Sequence, residues 1–428
     1  ECKVMTDRHI YIKSMYMIPS DDTFSDYSAF LTPMEGRRMG KLMKRAFATS
    51  LTALREAALE RPDAIITGTS LGSVADMEPV LNAVCENGGE GVKPTNFMQS
   101  THNTLSSLIA LKTRTHGYNC TWSQEALSFE NALADALTQL RLGRTGNALV
   151  GAFDELSPDT LEVQRRGGIL KDGCKAGEVA ASFLLEASVS GCASSGKPGF
   201  ADDSMPGASA TAGVSVAGAS RTVNGRTAEN GRLVEVAAVR TAYIPDERCQ
   251  ETELSDILED MLGKAGLSIG DIDFVLTGRH GAGSGVRSYV SAEDSSRKSK
   301  FLHEDSLRNL RPSGNDAVYD RLNNLWQGIP QGLWKHVFGE GFSSSAAGFH
   351  TAATGLFQGF IPATFQLRGA AAPSAPMSAL SAPASALSAS VPVDPSGAVP
   401  ANPLMPLRNI IVFNHFAAKH FSLMLLRK

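Results

Sequence analysis

Short apolar runs that end at a glycine turn, each set off by an amphipathic helix, leave few folds open to this chain. Asp63-Ala-Ile-Ile-Thr-Gly68 and Asn147-Ala-Leu-Val-Gly151 are apolar on both faces of a strand, and Val179 to Leu185 adds a third such run. Strands of this kind need cover on both sides. The helices supply it: Met34 to Leu59 carries Met39, Leu42, Met43, Phe47, Leu51 and Leu54 at helical spacing. Ser128 to Leu142 places Phe129, Leu133, Leu137 and Leu140 on one face. Helices alternating with buried strands predict an α/β sheet covered on both faces.

The pattern starts over further along. Leu233 to Ala242 reads as a strand, Leu254 to Gly266 as a helix, and Asp271-Ile-Asp-Phe-Val-Leu-Thr-Gly278 again runs a strand into a Thr-Gly turn. Ala57-Ala-Leu59 followed by Asp63 to Gly68 parallels Ala265-Gly-Leu267 followed by Asp271 to Gly278, an internal repeat at a spacing of roughly two hundred residues. Two stretches interrupt the pattern. Residues 188–227 are rich in Gly, Ala and Ser, and residues 369–403 hold seven prolines and one charged side chain, Asp394. Neither buries enough apolar surface to offset its ordering entropy, so both are expected to be mobile. The expected division is an N-terminal unit (8–187), a linker (188–227) and a C-terminal unit (228–428) carrying the insertion at 369–403.

Composition narrows the classes of function. With 428 residues, 43% hydrophobic and 20% charged, and a net charge of −4, the chain has no basic excess directed at nucleic acid. Its six cysteines (Cys2, Cys85, Cys120, Cys174, Cys192, Cys249) form no CxxC pair, so neither a zinc site nor a disulfide scaffold is expected. The polar stretch from Glu1 to Tyr11 does not read as a signal peptide, and no apolar run reaches the ~20 residues of a membrane span. A cytoplasmic location with reduced thiols is the expectation.

Four segments, taken in order, resemble the β-ketoacyl synthase family of the thiolase superfamily. Gly68-Thr-Ser-Leu-Gly72 resembles the glycine turn after the first long strand. His116-Gly-Tyr-Asn-Cys-Thr-Trp-Ser123 with Gln124-Glu-Ala-Leu-Ser128 resembles the approach to the nucleophile and its elbow. Asn131 to Asp154 resembles the helix and strand behind it, and Gly177 to Glu186 the strand closing the first half. The resemblance implies a thiolase-like fold: two pseudo-repeated α/β halves in five layers, α-β-α-β-α. It implies condensing chemistry that needs a cysteine at a buried helix start, two histidines to stabilise an enolate-like charge, and a lysine.

Counting from Gly117, the nucleophile's place is held by Ala126, whose methyl group cannot be acylated. Lys335-His-Val-Phe-Gly-Glu340 resembles the lysine-to-histidine motif with Glu340 standing for the histidine. The first histidine falls near Thr277-Gly-Arg-His280, and Asn414-His415-Phe resembles the closing loop. A carboxylate repels a developing enolate unless it is protonated. The departure resembles the chain-length-factor subgroup, which Pro33 to Lys41, Asp63 to Thr69 and Met98 to Asn103 also resemble. That likeness implies a non-catalytic subunit of fatty-acid or polyketide (aryl-polyene or flexirubin-like) synthesis. Its partners would be an active ketosynthase, or a second copy of itself, and acyl carrier protein, with no cofactor or metal. Ser123, Gln124, Glu125 and Phe342 would face substrate. Arg37, Arg38, Lys41, Lys44 and Arg45 would dock the acidic carrier, against the plainer reading of a solvated helix face.

Two rival functions stay open. The first is a freestanding acyltransferase or thioester hydrolase using Ser123 or Cys120, although a serine beside a helix start is commonly a cap and a strand cysteine commonly packs as a small apolar group. The second is an acyl-binding scaffold. His102 and Asn103 read as polar groups serving a helix start, or as part of a pocket or interface. His415 and His420, five apart, do not form a metal pair.

Overall fold

The computed structural model describes residues 8–19, 27–170, 174–189, 233–280, 315–362, 365 and 407–428. Of 188–227 only the first two residues fall within it, and 369–403 lies wholly outside the described residues, as does the chain between His280 and residue 315.

The N-terminal elements are β1 (Arg8–Pro19), α1 (Pro33–Arg38), α2 (Lys41–Glu56), β2 (Ala64–Gly68), α3 (Val74–Asn87), α4 (Pro94–Gln99), α5 (Thr104–Thr113), β3 (Tyr118–Trp122), α6 (Ser128–Arg141), β4 (Asn147–Phe153), α7 (Pro158–Arg166) and β5 (Val179–Val189). The C-terminal ones are β6 (Val234–Tyr243), α8 (Gln250–Lys264), β7 (Phe274–Thr277), α9 (Asn315–Arg321), β8 (Gln331–Leu333), α10 (Lys335–Phe338), α11 (Ser344–Gln358), β9 (Asn409–Phe416) and β10 (His420–Arg427).

The ten strands of the described residues form one sheet in the order β3-β2-β4-β5-β1-β6-β10-β9-β7-β8. Read outward from the centre, β1-β5-β4-β2-β3 and β6-β10-β9-β7-β8 are the same topology. The pairing senses agree as well: β2 is parallel to β3 and β4, β7 is parallel to β8 and β9, and the remaining neighbours are antiparallel. Among the described residues, two residue pairs join the sets, Tyr11 with Glu235 and Ile12 with Val234. The repeat read from two short segments is therefore a repeat of the whole strand order.

Strand alternation sorts the side chains into layers. Ala64 and Ile66 of β2, Ala148 and Val150 of β4, and Val412 of β9 enter one central core together with Phe129 of α6 and Phe349 of α11. Their sequence neighbours Ile65 and Leu149 face an outer core with α2 and α5, while Ile411 and Phe413 face another with α8 and α9. The layers are thus outer helices, sheet, α6 with α11, sheet, outer helices. Phe129, Phe183 and Phe349 lock the middle at centroid separations of 5.4, 5.6 and 5.0 Å, each pair contributing about 1 kcal/mol beyond simple burial.

The single helix expected over 34–59 is two helices. Thr32 and Glu35 close a capping box on α1, then Met39 and Gly40 are extended before α2 begins. The apolar spacing from Leu42 onward belongs to α2 alone. Among the described residues no helix is long and apolar enough to cross a membrane.

Candidate functional site

The expected elbow lies between β3 and α6. Ser123 to Leu127 make a tight turn in which Gln124 bridges Ala126 and Glu125 takes a left-handed φ of 46°. Ser128 braces it: its Oγ accepts the Gln124 N–H at 2.8 Å and donates to the Glu125 carbonyl at 2.7 Å. Gly68 ends β2 directly against this turn, where a Cβ would lie 2.4 Å from the Ser128 carbonyl oxygen, so only glycine permits the approach. Ala126 is buried at the tip, two residues before α6 begins.

A buried charged cluster gathers from three distant segments. Lys335 opens α10 and donates to Glu340 at 2.8 and 3.0 Å, and His280 Nε2 meets Glu340 Oε2 at 3.0 Å. Glu340 is held by backbone: its N–H donates to the Lys175 carbonyl and its carbonyl accepts the Gly177 N–H, both at 2.8 Å. Gly177 makes this crossing possible, since a Cβ there would lie 1.9 Å from the Phe338 carbonyl oxygen.

Burial alone would push the Glu340 carboxyl up, but Lys335 and His280 outweigh it and hold it down at about 2. Burial would likewise push His280 down, yet Cys174 and Glu340 raise it to about 9. Glu340 is therefore an ionised carboxylate between two cations, and His280 keeps its ring proton at neutral pH.

A second polar group links the cluster to the elbow. Glu130, one turn into α6, is fully buried. Its Oε1 accepts from Ser422 at 2.8 Å while Oε2 has no partner at hydrogen-bond geometry. Burial raises its carboxyl to about 7 against the tempering effect of Ser422, Ser345 and Asn414. Tyr319 donates to Asn414 at 3.4 Å, lies with its ring 4.6 Å from that of His415 at a 43° tilt, and sits within the field of Glu340.

The structure thus brings Lys335, His280 and Glu340 together, with His415 close by on β9. Phe342 is half-buried with its ring 5.7 Å from Phe416. Ser123 and Gln124 are exposed, and Gln124 accepts from Asn131 at 2.5 Å. Glu125 points outward to within 4.0 Å of His420.

Several expectations need correction. Arg45 is buried and, together with Lys41, binds Glu178 at 2.8 and 2.6 Å, so Arg45 is a structural ion-pair residue and offers no docking surface. Arg37 and Arg38 are exposed but stand on α1, apart from Lys44 on α2. Ser123 caps nothing, because its hydroxyl donates to the Ser70 carbonyl at 3.3 Å. His102 meets that same carbonyl at 3.0 Å, and Asn103 makes no side-chain cap bond. Cys120 is only half-buried, because β3 is an edge strand rather than an interior one.

Cys174 and Glu130 were missed. Cys174 carried no sequence signal beyond being a cysteine, and Glu130 looked like an ordinary polar residue on an amphipathic helix. Among the described residues no group of three or more His, Cys, Asp or Glu could hold a metal ion.

Residues 14–220 match the family described as "Beta-ketoacyl synthase, N-terminal domain". Among solved structures, the ishigamide ketosynthase/chain length factor is 15% identical with a TM-score of 0.61. AntDE:AntF, a type II polyketide synthase acyl-carrier protein in complex with its ketosynthase bound to the hexaketide, is 12% identical with a TM-score of 0.59. A β-ketoacyl synthase from Burkholderia phymatum STM815 is 14% identical with a TM-score of 0.61. Each comparison covers 98% of this chain and 99% of the other. No curated protein sequence matches the chain. At these identities the structural likeness establishes the fold.

Proposed function

Because the chain is a ketosynthase-like protein of thiolase-type fold, we propose that it is the non-condensing, chain-length-factor-type subunit of a ketosynthase pair. It would act on carrier-bound acyl chains in cytoplasmic fatty-acid or polyketide assembly. What supports the reading is that Ala126, which the family resemblance puts in the nucleophile's place, is a buried alanine, and that Glu340, which it puts in the second histidine's place, is held ionised. A methyl group forms no acyl bond. A carboxylate placed where enolate charge builds raises the barrier that the histidines of a condensing enzyme lower.

Partner binding has a physical candidate in β3, which ends the sheet with one side of its backbone unpaired among the described residues and with Tyr118 and Trp122 exposed. An open edge of this kind is a template for strand pairing, with an active ketosynthase or with a second copy. Arg37 and Arg38, together with Lys41 and Lys44, suit an acidic carrier by charge.

The test mixes the chain with a ketosynthase encoded beside it and measures size and condensation together. A defined pair is expected, with the chain alone forming no condensation product from acyl- and malonyl-carrier. Ala126→Cys alone should remain silent because Glu340 stays charged. Condensation by the unaltered chain on its own would end this reading.

A further inference from the structure

We propose that Arg141 and Arg240, with Lys264 at the rim, bind a doubly charged phosphate group, free or carried by a small molecule, where α6 ends against β6. The place is remote from the elbow. Arg141 closes the 14-residue helix that Ser128 opens, about 20 Å away along its axis. The proposal stands or falls independently of the subunit assignment.

A break in strand pairing builds the site. β10 pairs with β6 through Leu425 opposite Ala238 and then Leu426 opposite Val236, so Ala237 is left over as a bulge. Its carbonyl accepts from Arg141 at 2.6 Å. Two residues on, the Val239 carbonyl accepts from Arg240 at 3.0 Å. Carbonyls two residues apart on one strand are separated by about 7 Å, so the two guanidinium groups are neighbours. The Arg8 guanidinium lies against Gly143, two residues beyond Arg141, where an added Cβ would fall 2.7 Å from its nitrogen.

The acids nearby are already engaged. Glu235, whose field reaches Arg141, is gripped by Arg427 at 2.6 and 3.2 Å and by His9 at 2.9 Å. Asp260 lies 3.9 Å from Arg240 but is held by Lys264 at 2.7 Å. Among the described residues Arg141 makes no ion pair, and its one hydrogen bond goes to the Ala237 carbonyl. Burial first, and the neighbouring Arg240 second, pull its guanidinium below the usual range against the opposing effect of Glu235. A bound anion relieves that repulsion.

Each arginine spends one of its several N–H donors on a carbonyl and keeps the rest of a planar fork. That fork matches two oxygens of a phosphate, and two such groups side by side call for the second negative charge that a phosphate has and a carboxylate lacks. The plainer reading is that both side chains only tie off loose carbonyls, with Arg141 also favoured by the C-terminal end of α6. That reading predicts no preference among anions.

The test titrates the full chain with inorganic phosphate and, separately, with glycerol 3-phosphate by calorimetry, at an ionic strength held constant with sodium chloride. Saturable binding and a raised melting temperature are expected. Arg141→Gln and Arg240→Gln should each weaken binding ~10-fold or more, Lys264→Gln less, and Arg61→Gln, an exposed arginine on another segment, not at all. Glutamine at 141 can still donate to the Ala237 carbonyl, so a melting temperature equal to the parent's without phosphate separates loss of binding from loss of fold. Arg240→Gln gives a second reading from a different element. Tighter binding of the ester assigns the site to a phosphorylated metabolite, and equal binding assigns it to the phosphate ion. Heat and melting shifts no larger than those of added sodium chloride overturn the proposal. So does binding that survives both arginine substitutions or weakens as much in Arg61→Gln.

Discussion

The two halves of the sheet share one topology yet treat their central helix starts in opposite ways. At the head of α11, Asp154 just beyond β4 has both carboxylate oxygens occupied: one accepts Thr69 Oγ1 at 3.0 Å and the Ser70 and Leu71 amides at 2.8 and 3.0 Å, and the other accepts the Ser343 hydroxyl. Near the head of α6, Glu130 has one oxygen on Ser422 and the other without a partner. One end is a saturated knot tying three segments; the other keeps a buried, under-bonded acid beside a strained turn. Buried polar groups are normally satisfied, so the open Glu130 oxygen is a departure that the Asp154 carboxylate does not share.

Substitutions at the two ends put that contrast at risk. The largest effect is expected for Asp154→Ala, which orphans a hydroxyl, two amides and Ser343 and should cost about 3–5 kcal/mol, read as a fall in melting temperature. Should it cost no more than Glu130→Ala, the contrast is broken.

Glu130→Gln sharpens it through pH. The folded carboxyl keeps its proton up to about pH 7 while the unfolded one loses it near 4.5. The native state therefore binds more protons across that window, and stability falls as pH rises through it. Glutamine should flatten the fall by on the order of 2–3 kcal/mol. The part due to Glu56, also raised to about 7 by burial, remains, as does the later fall between 6.5 and about 9 as His280 loses its proton. An unchanged pH profile would show that Glu130 is solvated after all.

The smallest effect is for Arg37→Glu with Arg38→Glu, which leaves stability within about 0.5 kcal/mol and slows association with an acidic carrier protein in a salt-dependent way. Equal binding would remove α1 from the docking surface.

What the sequence disclosed was local. Ser128–Arg141 and Asn147–Phe153 lie within two residues of where apolar periodicity put them, because each buries a face that its own residues define. The break at Gly40 was overrun because Met39 continued the apolar spacing of α2. The twelve-residue β1 went unread because its polar side chains masked a strand buried at the sheet centre. The neighbourhood of Glu340 was only half legible: a lysine five residues upstream can be counted, but Cys174 and His280 arrive from 166 and 60 residues away, a distance that no local pattern encodes. Protonation of Glu340, undecidable from its neighbours in the chain, is set by that long-range company.

The crossing of Gly177 beneath Phe338 ties thiol and carboxylate to a shared backbone seam. One added methyl at 177 would wedge apart two segments far separated in sequence, shifting Cys174 and Glu340 together. Glycine at that point is therefore a requirement of assembly, one that any descendant of this chain would have to keep.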